Sequence, residues 1–137
     1  MAGTTITLRL TIADPVAGVA YSLQDKANRP VEPRIAADGP ISFDAPVTLS
    51  EDGRLTGPFV RREGATRRFV YIAIGTSAGQ YASEWSRRAK IDVHDIPADL
   101  LARVRQGEVL AVVLPGRTKD GGPACATVRP VQAWRVV

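Results

Sequence analysis

The chain is poor in the residues that usually build metal and redox sites. It contains one cysteine, Cys125, and one histidine, His94. A lone cysteine excludes an internal disulfide, and one cysteine with one histidine cannot complete a closed zinc shell. The sequence therefore predicts no metal and no cofactor, with Cys125 as a small packed side chain. A reducing, cytoplasmic setting is the matching expectation.

Long apolar runs and nucleotide-binding glycine patterns are also missing. No apolar stretch approaches the roughly 18 residues that a membrane-spanning helix needs, and the first ten residues lack the basic and apolar regions of a secretory signal. Neither the P-loop pattern nor a dinucleotide-binding glycine pattern occurs. The sequence therefore predicts no membrane segment, no export signal and no nucleotide site of these two kinds.

Aromatic residues make up only 6% of the chain. Most of them occupy positions that the strand pattern assigns to the core. Because stacking on single-stranded nucleic acid needs exposed rings beside a basic stripe, nucleic-acid binding is an alternative that the sequence disfavours.

Positive charge is concentrated in the middle of the chain. The formal net charge is +4, and residues 54–90 hold eight basic and two acidic side chains. Seven of the eight are arginines, which suit two-pronged contacts with carboxylate or phosphate groups. This segment favours an anionic partner, although a general preference for arginine over lysine would give the same count.

Hydrophobic alternation predicts a chain built mostly of strands. Apolar and polar residues alternate from Ile6 to Ile12, as in a half-buried strand. Residues 67–74 are apolar on both faces, which predicts a central strand, and Glu108–Leu114 reads as another strand. Residues 25–40 contain three prolines and no sustained period, and they are interpreted as a long loop or an irregular edge.

One short helix is expected near residues 97–106, ending at Gly107. Short strands separated by glycine and proline turns are typical of an all-β sandwich. We therefore predict a single β-rich domain over residues 1–137, an antiparallel sandwich with a small β-barrel as the alternative. The oligomeric state is left open.

The run from Trp85 to Lys90 carries the strongest physical signal. In a strand, Arg87 shares the apolar face of Ala89 and Ile91, whereas Arg88 and Lys90 point to the polar face. A charge on an apolar face is costly unless it is paired. We therefore predict a buried structural pair between Arg87 and Asp120.

The loop from Pro115 to Pro123 is the second candidate region. Its Asp-Gly-Gly turn exposes backbone N–H groups that can cradle an anion, and Arg117 and Lys119 add positive charge. Taken alone, the loop also fits an ordinary solvated hairpin. The combined prediction is a non-enzymatic binding module for an anionic small molecule or an acidic protein surface, with four ligand-binding residues and no catalytic ones: Arg88, Lys90, Arg117 and Lys119.

Two enzymatic alternatives compete with this interpretation. One is an enzyme acting on a phosphorylated or carboxylated metabolite, with Lys119 or Asp120 as the acid or base. The other is suggested by residues 75–79, which match the G-x-S-x-G pattern of a hydrolase around Ser77. That pattern needs alternating strands and helices, which this sequence lacks, so Ser77 is expected to be an ordinary loop residue.

Five sequence blocks resemble a bacterial family known as a domain of unknown function. The similarity runs from about residue 4 to residue 135. It implies a single intracellular bacterial domain and transfers no activity, substrate or catalytic residue. The blocks are Gly57–Val60, Arg68–Ile72, Ala78–Gln80, Trp85–Lys90 and Lys119–Val128.

Overall fold

The computed structural model describes residues 3–75 and 87–137. These residues form two packed β-sheets with one short helix, so the predicted all-β sandwich is confirmed. The sheets do not close into a barrel, the alternative considered above. The elements are β1 (Thr4–Ile12), β2 (Ala20–Gln24), β3 (Pro30–Ile35), β4 (Ile41–Leu49), β5 (Leu55–Thr56), β6 (Val60–Glu63), β7 (Arg67–Gly75), β8 (Arg87–Asp92), α1 (Ala98–Arg103), β9 (Val109–Leu114), β10 (Ala126–Thr127) and β11 (Gln132–Val136).

Helix α1 lies where a helix was expected but is shorter, because Val104 adopts an extended conformation and ends it. In the described ranges, no helix is long and apolar enough to cross a bilayer.

Both sheets are mixed, which corrects the prediction of a purely antiparallel sandwich. The first sheet has the order β11-β9-β1-β4-β5, and its strands β1 and β9 run parallel. The second has the order β10-β8-β7-β2-β3, and β10 runs parallel to β8. Parallel neighbours need a long crossover connection between them. The alternation of apolar and polar residues along one strand does not indicate the direction of the neighbouring strand, so the sequence could not reveal the parallel pairs.

Strand β7 is the centre of the second sheet, as its two apolar faces predicted. Strand β8 lies along one edge of β7, and β2 and β6 lie end to end along the other. Residues 69–75 are all buried. Alternate side chains therefore belong to two environments, the interior between the sheets and the outer face of the second sheet.

The interpretation of residues 25–40 as a loop or an irregular edge is half right. Residues 30–35 form β3, which is the edge strand of the second sheet. Proline lacks a backbone donor and is tolerated where one side of a strand has no partner, which accounts for Pro30 and Pro33. The pairing with β2 shifts register between Tyr21 and Leu23.

The core fills the space between the sheets. The alternation predicted for β1 is confirmed, because its even-numbered residues from Ile6 to Ile12 are buried. The second sheet contributes Val70, Ile72 and Ile74 from β7. Alternation therefore places one side of each central strand in a shared apolar layer.

Candidate functional site

Arg88 and Lys90 lie on the outer face of the second sheet, which we call the cation–aromatic face. It is formed by alternate residues of β6, β7 and β8. The Arg88 guanidinium carbon lies 4.6 Å from the centroid of the Tyr71 ring. The Lys90 ammonium lies 5.4 Å from the ring centroid of Phe69 and 5.7 Å from that of Tyr71. The members of the cation–aromatic face are Arg61, Glu63, Arg67, Phe69, Tyr71, Arg88 and Lys90.

The carboxylate of Glu63 already balances part of this charge. The Lys90 ammonium lies 3.4 Å from a Glu63 carboxylate oxygen, and the Tyr71 hydroxyl donates a hydrogen bond to the same group. That hydroxyl and then Lys90 hold the pKa of Glu63 below its ordinary value. Burial, followed by the Glu63 contact, raises the pKa of Tyr71 to about 12. Lys90 is therefore already paired with a carboxylate of its own face.

Replacing Glu63 by glutamine is expected to lower the pKa of Tyr71. The negative charge that opposes formation of the tyrosinate disappears, whereas burial of the ring remains, so the pKa should fall from about 12 yet stay above 10.0. Ultraviolet titration of the tyrosinate band would measure it, with Tyr71→Phe identifying the signal. An unchanged pKa in Glu63→Gln would contradict the contact.

The raised pKa of Tyr71 also fixes the sign of one effect of pH on stability. Between pH 10 and about 12, tyrosine ionises in the unfolded chain while folded Tyr71 keeps its proton. The folded state then binds more protons, so the free energy of unfolding falls as pH rises through this window. Tyr71→Phe should lack this component of the decline.

The predicted buried pair of Arg87 and Asp120 does not form. Both residues are exposed, and no ion pair between them occurs in residues 3–75 and 87–137. Arg87 does share a face with the buried Ala89 and Ile91. It begins strand β8, however, and at the strand end solvent reaches its guanidinium. The predicted face of Arg87 is confirmed, and its predicted burial is wrong.

No contact among the described residues joins the loop residues Arg117 and Lys119 to Arg88 and Lys90. The Arg117 Nε lies 3.2 Å from an Asp14 carboxylate oxygen, and an Arg117 terminal nitrogen donates to the Pro15 carbonyl oxygen. Lys119 is exposed. The loop is thus fastened by Arg117 to the end of β1.

Three further predictions concern Ser77, Cys125 and metal binding. Ser77 and the beginning of the Trp85–Lys90 run lie outside the described residues. Cys125 is exposed, so its interpretation as a packed side chain is wrong. Within the part of the chain that the structure describes, no group of three metal-ligating side chains forms.

A basic cavity that the sequence did not reveal lies at one end of the sandwich. Its volume is about 380 Å³. Four cationic side chains line it, from the β2–β3 turn, β6 and β7: Lys26, Arg61, Arg62 and Arg68. The apolar part of the wall comes from Leu55 and Val60. We refer to it as the basic cavity.

Backbone pairing places two of the three arginines of the basic cavity close together. In the β6–β7 hairpin, Arg62 stands directly opposite Arg68. Opposed like charges on neighbouring strands are unfavourable unless something compensates them. Carbonyl oxygens of the hairpin turn accept from the Arg62 guanidinium, at 3.2 Å from Gly64 and 3.3 Å from Ala65. These neutral acceptors orient Arg62 without cancelling its charge.

The other two cations are positioned by contacts between the β2–β3 turn and residues 58–61. Arg61 donates to the side-chain oxygen of Asn28, and the backbone nitrogen of Lys26 donates to the Pro58 carbonyl oxygen at 3.2 Å. No carboxylate among the described residues forms an ion pair with any of the four cations. The basic cavity therefore carries four positive charges that no carboxylate among the described residues pairs with.

Sequence reasoning could have found only half of this site. The hairpin register from Arg61 to Arg68 follows from the turn at residues 63–66, and it implies the Arg62–Arg68 pair. Lys26 is distant in sequence, and only the packing of the β2–β3 turn against residues 57–58 brings it there.

Comparison with known proteins supplies one match. A family model described as a family of unknown function matches residues 6–137. No curated protein and no solved structure matches the chain.

Proposed function

The chain belongs to DUF5990, a family of unknown function, and we propose from its geometry that it is a binding protein for a multiply charged oxyanion of the phosphoryl class. The ligand occupies the basic cavity. The observation that carries this proposal is a cavity that four cations line, with no carboxylate among its described lining residues. The charge distribution of the sequence also predicted the binding of an anion. The site proposed here differs from the predicted one, which was Arg88, Lys90, Arg117 and Lys119.

The number and type of cations favour a phosphoryl group over a single carboxylate. Arginine presents a planar fork of donors. Two opposed guanidinium groups therefore suit an anion whose oxygen atoms are arranged tetrahedrally, as in a phosphoryl group. Four positive charges also exceed what one carboxylate could balance. A phosphoryl group carries up to two negative charges and relieves the repulsion between Arg62 and Arg68.

Two of the four sequence-predicted residues are weaker candidates for the ligand site. Lys90 is paired with Glu63, and Arg117 is paired with Asp14. An incoming anion would have to compete with these carboxylates, whereas in the basic cavity it meets no competitor among the lining residues. This difference favours the basic cavity over the cation–aromatic face.

Binding is favoured over catalysis and over nucleic-acid recognition. The lining of the basic cavity includes no carboxylate or imidazole for proton transfer, and Lys119 and Asp120 are exposed in a separate loop. The aromatic side chains in the described ranges are buried or half-buried, so they offer no stacking platform.

Pyrophosphate binding measured by calorimetry at low ionic strength tests the proposal. Wild-type protein should bind pyrophosphate more tightly than acetate. Arg68→Gln should weaken pyrophosphate binding about 10- to 100-fold, because a hydrogen bond to a charged group contributes roughly 1.5–3 kcal/mol. Added salt should weaken binding further, as it screens the attraction.

Charge-matched controls separate this site from the general positive field. Arg135→Gln removes the same charge from β11 in the other sheet and should leave affinity nearly unchanged. Arg88→Gln and Arg117→Gln test the sequence-predicted residues in the same way. An equal loss in Arg135→Gln and Arg68→Gln, or no pyrophosphate binding by the wild type, would refute the proposal.

A further inference from the structure

A second cavity of about 340 Å³ adjoins the basic cavity. The two share part of their walls, because Leu55 and Arg68 line both. Arg68 projects from β7 at this shared wall, and Leu55 lies in the short strand β5 of the first sheet. A molecule held by Arg68 in the first cavity therefore lies next to the second.

The walls of the second cavity are mostly apolar. The turn after β8 and the beginning of α1 supply Val93, Ile96, Pro97, Ala98 and Leu101. Ala98 is exposed at this wall, while Ile96 and Val93 are buried beneath it. Pockets for small ligands typically combine such an apolar lining with a few polar groups.

The charged residues of the second cavity fix the orientation of a shared ligand. Asp95 contributes a carboxylate, and the Arg54 Nε lies 3.2 Å from an Asp52 carboxylate oxygen. His94 makes a 2.8 Å contact with the Thr66 carbonyl oxygen. An anionic group is therefore better placed in the basic cavity, and an uncharged group in the second.

We infer that the ligand is a phosphoryl compound carrying an apolar ring, with the phosphoryl group in the basic cavity and the ring in the second cavity. The inference rests on the proposed function and adds the class of substituent. Arg68 lines both cavities, so in this arrangement it would lie between the phosphoryl group and the ring.

Phenyl phosphate and methyl phosphate test this inference, because they differ in the ring alone. Wild-type protein should bind phenyl phosphate at least about tenfold more tightly, since burying a ring removes apolar surface from water. Ala98→Phe fills the second cavity from an exposed position. It should abolish most of that preference and leave methyl phosphate binding unchanged.

Ala102→Phe is the matched control. Ala102 lies on the same helix, is exposed, and does not line the second cavity. This variant should keep the full preference for phenyl phosphate. Circular dichroism and urea unfolding would establish that both variants fold equally well.

The remaining outcomes distinguish a failure of the proposed function from a failure of the ring inference. If neither phosphate ester nor pyrophosphate binds, the proposed function fails. If both esters bind with equal affinity and Arg68→Gln weakens both, the proposed function stands and the ring inference is wrong. If the preference survives Ala98→Phe, the ring lies elsewhere and the assignment of the second cavity is wrong.

Discussion

Replacement of Ile72 by alanine is expected to lower the free energy of unfolding by about 3–4 kcal/mol. Ile72 has no solvent exposure and lies in β7, the central strand of the second sheet. Its side chain faces the layer between the sheets, where neighbouring residues cannot collapse fully into the space left by three missing carbons. Urea denaturation followed by circular dichroism would measure the change.

Ile35→Ala is the matched control, because it makes the same change in an edge strand. Ile35 is 57% exposed in β3, so the substitution should cost well under about 1 kcal/mol. A loss in Ile35→Ala equal to that in Ile72→Ala would contradict the sheet order described here.

Gly116→Ala is expected to cost about 3 kcal/mol, for a different reason. A β-carbon at residue 116 would lie 2.0 Å from the Asp14 carbonyl oxygen and 2.8 Å from the Pro15 nitrogen. These are backbone atoms that no rotamer change can move, so the 14–15 segment must shift, as in other overpacked sites. The shift should also loosen the Arg117–Asp14 ion pair.

A second glycine in the same loop provides the comparison. At Gly122 an added β-carbon meets only the Thr118 hydroxyl oxygen, at 3.9 Å. Gly122→Ala should therefore leave the free energy of unfolding within about 0.5 kcal/mol of the wild-type value. If thermal and urea unfolding gave equal losses for the two variants, the close approach of residue 116 to the 14–15 segment would be wrong.

Local sequence pattern was sufficient for much of the fold. The alternation in β1 and the two apolar faces of β7 predicted their burial, because side chains alternate between the faces of a strand. The sequence was less decisive for β3, where Pro30 and Pro33 left a long loop as an alternative to the irregular edge that forms. An edge strand has one unpaired side, so proline there does not break the sheet.

The candidate site was less predictable than the fold, for two physical reasons. The exposure of Arg87 depends on how far along β8 it lies, and the face pattern carries no such information. The basic cavity depends on the approach of Lys26 to the β6–β7 hairpin. Such long-range proximity is a property of tertiary packing. Only the opposition of Arg62 and Arg68 was implicit in a local turn.

The parallel pairing of β1 with β9 has a consequence for the order of folding. It joins segments far apart in the chain, and even the flanking hydrogen bond from Thr5 to Gln106 spans 101 positions. Closing so large a loop is entropically unfavourable until many contacts form together. The β6–β7 hairpin closes within a few residues, so it can form early. During synthesis, β1 must wait for β9 to leave the ribosome before the first sheet can be completed.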